Sequence, residues 1–191
     1  DFGLLPMGTN AHELAMVLAG IMGDSDDGLR SAQEHVLDLW WQLYDWGLSI
    51  ALPDTFGSDF FFRIFGPERA SAWKGMRHDS GDPVEFGEKL VAFYEAHGVD
   101  PKGKMVIFSD GQTVESIIAC AERFRGRIKM SFGWGTNLMN DLGLDPISII
   151  VKPIEANGRG LVKLSDNLAK ATGQPEDVER VKRAFGYIGT T

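Results

Sequence analysis

The residues able to do chemistry fall into four short clusters. Arg77-His78-Asp79-Ser80-Gly81-Asp82-Pro83, Ser109-Asp110-Gly111 and Ser131-Phe132-Gly133-Trp134-Gly135-Thr136-Asn137 each follow an apolar run and precede a helical pattern. The first brings together a guanidinium, carboxylates and a hydroxyl. Arg77 suits a carboxylate or phosphate, and Asp79 suits sugar hydroxyls or a hydrated metal, whereas Asp82 reads as a helix cap. In the third, Gly133 and Gly135 let backbone amides approach an anion and Thr136 caps a helix, so a phosphate fits; the same spacing also serves a tight turn with no ligand. Ser109-Asp110-Gly111 is by itself a common turn and gains weight from its position. His12, in Gly8-Thr9-Asn10-Ala11-His12-Glu13, lies near a helix start. On residue chemistry alone it reads as a structural or exposed histidine. His35 and His97 read as helix-surface residues, and the five tryptophans as packing.

The elements that must position these clusters follow from hydrophobic period. Helical spacing runs from Asn10 to Met22, with Thr9 as its cap, and from Asp27 to Trp46. Short apolar or alternating runs at Leu48–Leu52, Met76–His78, Met105–Phe108, Ile128–Phe132 and Ile147–Val151 predict buried parallel strands. A helix follows Asp82-Pro83-Val84-Glu85 and ends at Gly98; another follows Asp110-Gly111 and stops near Gly126. Strand starts recur at about the length of a βαβ unit, which predicts a parallel sheet, either barrel or doubly wound. In a barrel the loops after the strands converge on one rim, which is where the clusters would meet. After Ile154, Asn157-Gly158-Arg159-Gly160 predicts a hairpin joining Pro153–Glu155 to Leu161–Leu164, and an amphipathic helix over Pro175–Phe185 closes the chain. The 191 residues read as one α/β domain or part of one, with the hairpin and last helix at 152–191.

The formal net charge of −8 argues against a nucleic-acid partner. A polyphosphate is not excluded, since local amides, a few cations and a divalent metal can hold one. Cys120 is the sole cysteine and lies between Ala119 and Ala121 in a helical pattern, so it reads as a buried, inert thiol in a reducing compartment. No apolar run has the length of a membrane span and no leader is apparent, which reads as cytoplasmic. The chain begins at Asp1-Phe2-Gly3, as expected of a fragment or a processed product.

Taken in order, Gly8–Glu13, Arg77–Pro83, Ser109-Asp110, Ser131–Thr136 and Lys163-Leu164-Ser165-Asp166 closely resemble the nicotinate phosphoribosyltransferase family, and more distantly nicotinamide phosphoribosyltransferase. The resemblance runs through nearly the whole chain. It implies an irregular TIM-like α/β barrel of the type II phosphoribosyltransferases, incomplete here because family members are about twice this long and their N-terminal half is absent. It implies transfer of phosphoribosyl from phosphoribosyl pyrophosphate to nicotinate in NAD synthesis, coupled to ATP hydrolysis through a phosphohistidine, with Mg²⁺ and a homodimer of the full-length enzyme.

Carried over by position, His12 would be the phosphorylated histidine and Asp54 the carboxylate that hydrogen-bonds and orients it. Arg77 would lie by the pyridine ring and its carboxylate, and Asp79 would hold the ribose hydroxyls; Ser80 and Gly81 would be further substrate-binding residues. Ser109, Asp110 and Gly111 would line the sugar-phosphate pocket, and Gly133, Gly135 and Thr136 would receive the 5′-phosphate. Lys163 and Lys170 would face ATP or pyrophosphate. Nicotinamide or quinolinate phosphoribosyltransferase, and a non-catalytic phosphate-binding fragment that needs a partner chain, are the rival readings.

Overall fold

The computed structural model describes residues 7–139, 143–145, 147 and 149–187. Four short strands, β1 (Ile50–Ala51), β2 (Gly75–His78), β3 (Met105–Phe108) and β4 (Lys129–Phe132), pair in parallel and in sequential order. Order does not reverse among them, as it would at the switch point of a doubly wound sheet. The register aligns Met76, Val106 and Met130, then Arg77, Ile107 and Ser131. Side-chain alternation therefore splits the sheet into two faces. Met76, His78, Val106 and Phe108 are buried on one; Arg77 and Ile107 stand half-exposed on the other.

The helices are α1 (His12–Met22), α2 (Asp26–Tyr44), α3 (Ser58–Ala72), α4 (Pro83–Ala96), α5 (Val114–Phe124), the four-residue α6 (Thr136–Met139) and α7 (Pro175–Phe185). α3, α4 and α5 cover the buried face, with Leu37 of α2 beside them. Their ends follow local chemistry. Asp82 accepts from the Glu85 amide at 2.8 Å with Pro83 at the first helical position, and Thr113 and Ser116 form a reciprocal capping box. α3 kinks at Gly66-Pro67, where the ring cannot continue the helix. Thr9 does not cap α1: its hydroxyl donates to the Asn10 carbonyl, and its backbone forms a parallel bridge with Ile50.

Two apolar clusters result. One packs Phe61, Phe65, Trp73, Leu90, Tyr94, Phe108 and Phe124 behind the sheet. The other gathers α1, α2 and α7 around Phe56, Leu164 and Phe185. Cys120 is buried in the first, where burial pushes its thiol pKa up, in keeping with an inert residue.

The hairpin forms as β5 (Glu155–Ala156) and β6 (Arg159–Gly160), shorter than its sequence signal, with the Leu161 amide bonding the Ile154 carbonyl just beyond. The expected strand at Ile147–Val151 is a correction. Residues 147 and 149–151 form no strand, and Ile147, Ile149, Ile150 and Val151 are exposed. Ser148 lies outside the described residues. Among the described residues no strand runs alongside this segment to take its backbone groups, so its β-propensity goes unrealised.

Gly87 of α4 packs against α5: an added Cβ would stand 2.3 Å from the buried Phe124 ring. Gly87→Ala is expected to lower stability by about 1–3 kcal/mol through overpacking, against the gain in helix propensity that alanine brings. Urea denaturation followed by circular dichroism measures the sign.

Candidate active site

His12 opens α1 and is 5% exposed, so both of its ring nitrogens require partners from the fold. Nδ1 lies 2.9 Å from Thr55 Oγ1, in the short turn Asp54–Phe56 that follows β1. Nε2 lies 2.9 Å from Asp79 Oδ2, one residue past β2. Phe56 pins that turn by stacking on Phe185 at 4.4 Å between ring centroids. The Leu164 amide bonds the Thr55 carbonyl at 2.8 Å, tying the turn to the segment that carries Lys163.

Arg77 organises the carboxylate side. Its Nη2 donates to Asp79 Oδ1 at 2.6 Å, Nε to Ser109 Oγ at 2.7 Å and Nη1 to Thr9 Oγ1 at 3.3 Å. Burial alone would raise the Asp79 carboxyl pKa. The hydrogen bond with His12 and the Arg77 charge outweigh it and hold that pKa well below the usual carboxylate range.

Asp54 does not make the hydrogen bond expected of it, because its Oδ1 stands 3.9 Å from His12 Nε2. Its Oδ2 instead accepts from Ser80 Oγ at 2.6 Å and Ser165 Oγ at 3.4 Å. Those hydroxyls hold the carboxylate back, while Arg77 holds Asp79 forward. Asp54 Oδ1 is buried without a partner. Behind it, Asp166 accepts from the Ser58 amide and hydroxyl at 2.8 and 2.5 Å. Burial and the Asp54 charge outweigh those bonds and raise the Asp166 carboxyl pKa.

His12 and Asp79 open onto a cavity of about 660 Å³. Ser109, Asp110 and Gly111 line it after β3; Gly133, Gly135 and Thr136 line it after β4; Lys163 and Lys170 line it from the segment after the hairpin. Three strand ends thus meet at one rim, with the chain continuing the ladder through Ser109 N to His78 O and Gly133 N to Phe108 O. At Gly133 a Cβ would stand 2.9 Å from Ser109 Cβ, so this close approach requires glycine. Arg77 lines a second concavity of about 580 Å³ that shares Ser109, Gly133, Trp134 and Gly135 with the first.

Three expected residues line neither concavity: Asp54, Ser80 and Gly81. Ser80 is buried beneath Asp54, and Gly81 turns its carbonyl to His78 Nε2 at 3.1 Å; neither lines the cavity. Among the polar and aromatic cavity residues, sequence reasoning missed five, Gln112, Trp134, Asn137, Lys152 and Thr172, and it missed Thr55 behind His12. Trp134 and Asn137 sat inside a quoted motif, so the signal was present. Lys152, paired with Glu13 beside His12, carried none.

A parallel α/β sheet whose strand-end loops gather cations, carboxylates and glycines around a buried histidine defines a class: α/β proteins with a polar cavity at the carboxyl edge of the sheet. The sequence matches the nicotinate phosphoribosyltransferase (NAPRTase) family over residues 1–188, and the chain belongs to that family. Among solved structures it is similar to nicotinate phosphoribosyltransferase from Porphyromonas gingivalis, at 38% identity and TM-score 0.84 over 94% of this chain and 47% of that one. The Vibrio cholerae enzyme gives 38% identity and TM-score 0.86 over 97% and 45%. A putative nicotinate phosphoribosyltransferase from Saccharomyces cerevisiae gives 34% and 0.86 over 95% and 45%. The chain thus spans about half the length of these structures.

The depressed Asp79 pKa makes a stability statement. The folded value lies below that of the unfolded chain, near 3.9, so the contribution is present above that pH and is lost as pH falls through the folded value. Asp79→Asn is expected to flatten the loss of stability below about pH 4. Urea midpoints across the acid range, compared with the unsubstituted protein, read this directly.

Proposed function

We propose that this chain carries the phosphate, ribose and phosphohistidine sites of a nicotinate phosphoribosyltransferase, its four parallel strands forming part of an irregular α/β barrel. The reaction joins nicotinate to phosphoribosyl pyrophosphate, giving nicotinate mononucleotide and pyrophosphate for NAD synthesis. The observation that carries this reading is the buried His12, hydrogen-bonded to Asp79 on the wall of a cavity that also presents the Gly133 loop, Lys163 and Lys170.

Each group has a role that the chemistry needs. Breaking the bond between ribose and pyrophosphate builds positive charge on the sugar and negative charge on the leaving group, so positioning and electrostatics supply most of the effect. Asp79 and Asp110 face the sugar hydroxyls, the Gly133–Thr136 amides receive the 5′-phosphate, and Lys163 and Lys170 neutralise the leaving group. Arg77, in the adjoining concavity, meets the nicotinate carboxylate. A carboxylate demands a cation there, whereas nicotinamide needs only neutral hydrogen bonds. His12 accepts the phosphoryl group of ATP.

Mg²⁺ belongs to the same proposal, carried in on the substrates' phosphates. His12, Asp54 and Asp79 each offer one ligand atom, all within 4.8 Å of one another. That mixed nitrogen and oxygen set does not match the all-oxygen shell magnesium demands. We therefore route no step through a metal held by these three. Among the described residues no helix is long and apolar enough to cross a membrane.

With the full-length enzyme, nicotinate mononucleotide should form from nicotinate in preference to nicotinamide or quinolinate. ATP should stimulate it, and His12→Ala should abolish that stimulation while leaving slow ATP-independent synthesis. Preference for either other base, or stimulation that survives without His12, would overturn the corresponding part.

The exposed apolar run favours a second reading, that the chain acts only with a complementary polypeptide or a second copy of itself. Leu144, Ile147, Ile149, Ile150, Val151 and Ile154 are all at least 70% exposed. The isolated chain is then expected to self-associate with concentration in size-exclusion chromatography. A monomer active alone at every concentration sinks that reading.

A further inference from the structure

Thr55 has no role in the reading above, yet its hydroxyl is the partner of His12 Nδ1 and is wholly buried. Hydrogen-bond accounting makes that contact consequential. Asp79, held ionised by Arg77 and His12, can only accept, so His12 Nε2 carries the proton in the neutral ring. Nδ1 is then the bare nitrogen and must accept from Thr55 Oγ1. In that tautomer Nε2, the nitrogen facing the cavity wall, has no lone pair to offer.

We propose that Thr55 is a positioning residue that lets His12 exchange tautomers: its hydroxyl donates to Nδ1 while Asp79 holds Nε2, and accepts from Nδ1–H once a ligand engages Asp79. The proposal rests on the phosphohistidine reading above and adds the device that frees the nucleophilic nitrogen. A hydroxyl is the group for this position because it is both donor and acceptor and can rotate between the two. A carboxylate at 55 could only accept. In the step it enables, the Nε2 lone pair forms a bond to the γ-phosphorus of a nucleoside triphosphate. The bond from that phosphorus to the β,γ-bridging oxygen breaks, and its electron pair leaves with the nucleoside diphosphate. The exchange itself moves one proton: as the ligand engages Asp79, solvent water takes the proton from Nε2 and returns one to Nδ1, where it stays on the ring, held by Thr55 Oγ1.

The geometry around Asp79 supplies a test that needs no turnover. Asp79 Oδ1 is taken by Arg77 Nη2 and lies 3.2 Å from Ser109 Oγ, so in Asp79→Asn the carbonyl oxygen keeps that place and the amide NH₂ faces His12 Nε2. A donor there forces the Nδ1–H tautomer, which needs an acceptor at residue 55. Nitrogen NMR shifts of the His12 ring should therefore report Nδ1–H in Asp79→Asn and in Asp79→Asn with Thr55→Ser. They should not report it in Asp79→Asn with Thr55→Val.

In the otherwise unchanged protein, label transfer from γ-labelled ATP to His12 should fall by about tenfold or more in Thr55→Val and stay near normal in Thr55→Ser. Identical ring shifts with Thr or Val at 55, or undiminished labelling of Thr55→Val, would overturn the proposal. If the unsubstituted protein takes no label, the phosphohistidine reading fails, and the NMR comparison still decides the role of Thr55. Backbone amide spectra check that Thr55→Val is folded, and Thr55→Ser covers the case in which it is not.

Discussion

A buried imidazole with two nitrogens to satisfy is the constraint around which the rest of this chain is arranged. His12 starts α1, yet its partners lie 43 and 67 residues further on. To bring them within hydrogen-bond distance, the turn after β1 must sit under the start of the helix and the end of β2 beside it. Neither position is independent. The turn is locked by Phe56 against Phe185 and by the Leu164 amide, and Asp79 is locked by Arg77. α7 and the 161–164 segment are remote in sequence, yet they buttress the histidine through the turn that carries Thr55.

The parallel sheet solves the companion problem of delivering polar loops to one place. Strands running the same way in sequential order end on the same edge, and period-2 alternation decides what each end carries. His78 and Asp79 are adjacent in sequence but belong to different environments. His78 turns into the core between Phe86 and Phe108, where burial lowers its pKa and favours the neutral ring, while Asp79 reaches the cavity. A one-residue slip of β2 would exchange them, burying a charge and exposing a core ring.

Local signals made much of this legible in the sequence. The cores of β2, β3 and β4, and the helix that Asp82 and Pro83 begin, follow from hydrophobic period and capping chemistry, which act over a few residues. What stayed hidden depends on contacts between distant residues. Which carboxylate faces His12 is decided by a competition: Ser80 and Ser165 draw Asp54 back, and Arg77 and Ser109 hold Asp79 forward. No spacing rule encodes that outcome. Thr55 sits in a turn where threonine is unremarkable, so only the fold reveals its partner. The run at 147–151 shows the converse, since a strand pattern is a necessary condition and pairing needs a neighbour with free backbone groups.

On the proposed function, an acidic chain has to hold a polyanion, and the charge arrangement sets the terms on which it would. Three of the cations at the two concavities are already matched: Arg77 with Asp79, Lys152 with Glu13 and Lys170 with Asp110. A phosphorylated ligand entering this site does not meet a bare positive field. It exchanges with carboxylates, and the gain depends on whether those carboxylates find new donors. A free phosphate would leave them stranded at a cost. A phosphate joined to a hydroxylated sugar brings acceptors for the lysines and donors for Asp79 and Asp110 in one molecule. On the proposed function, selectivity for such a ligand over a simple anion would follow from pairing the cations beforehand, and the same exchange at Asp79 would loosen its hold on His12.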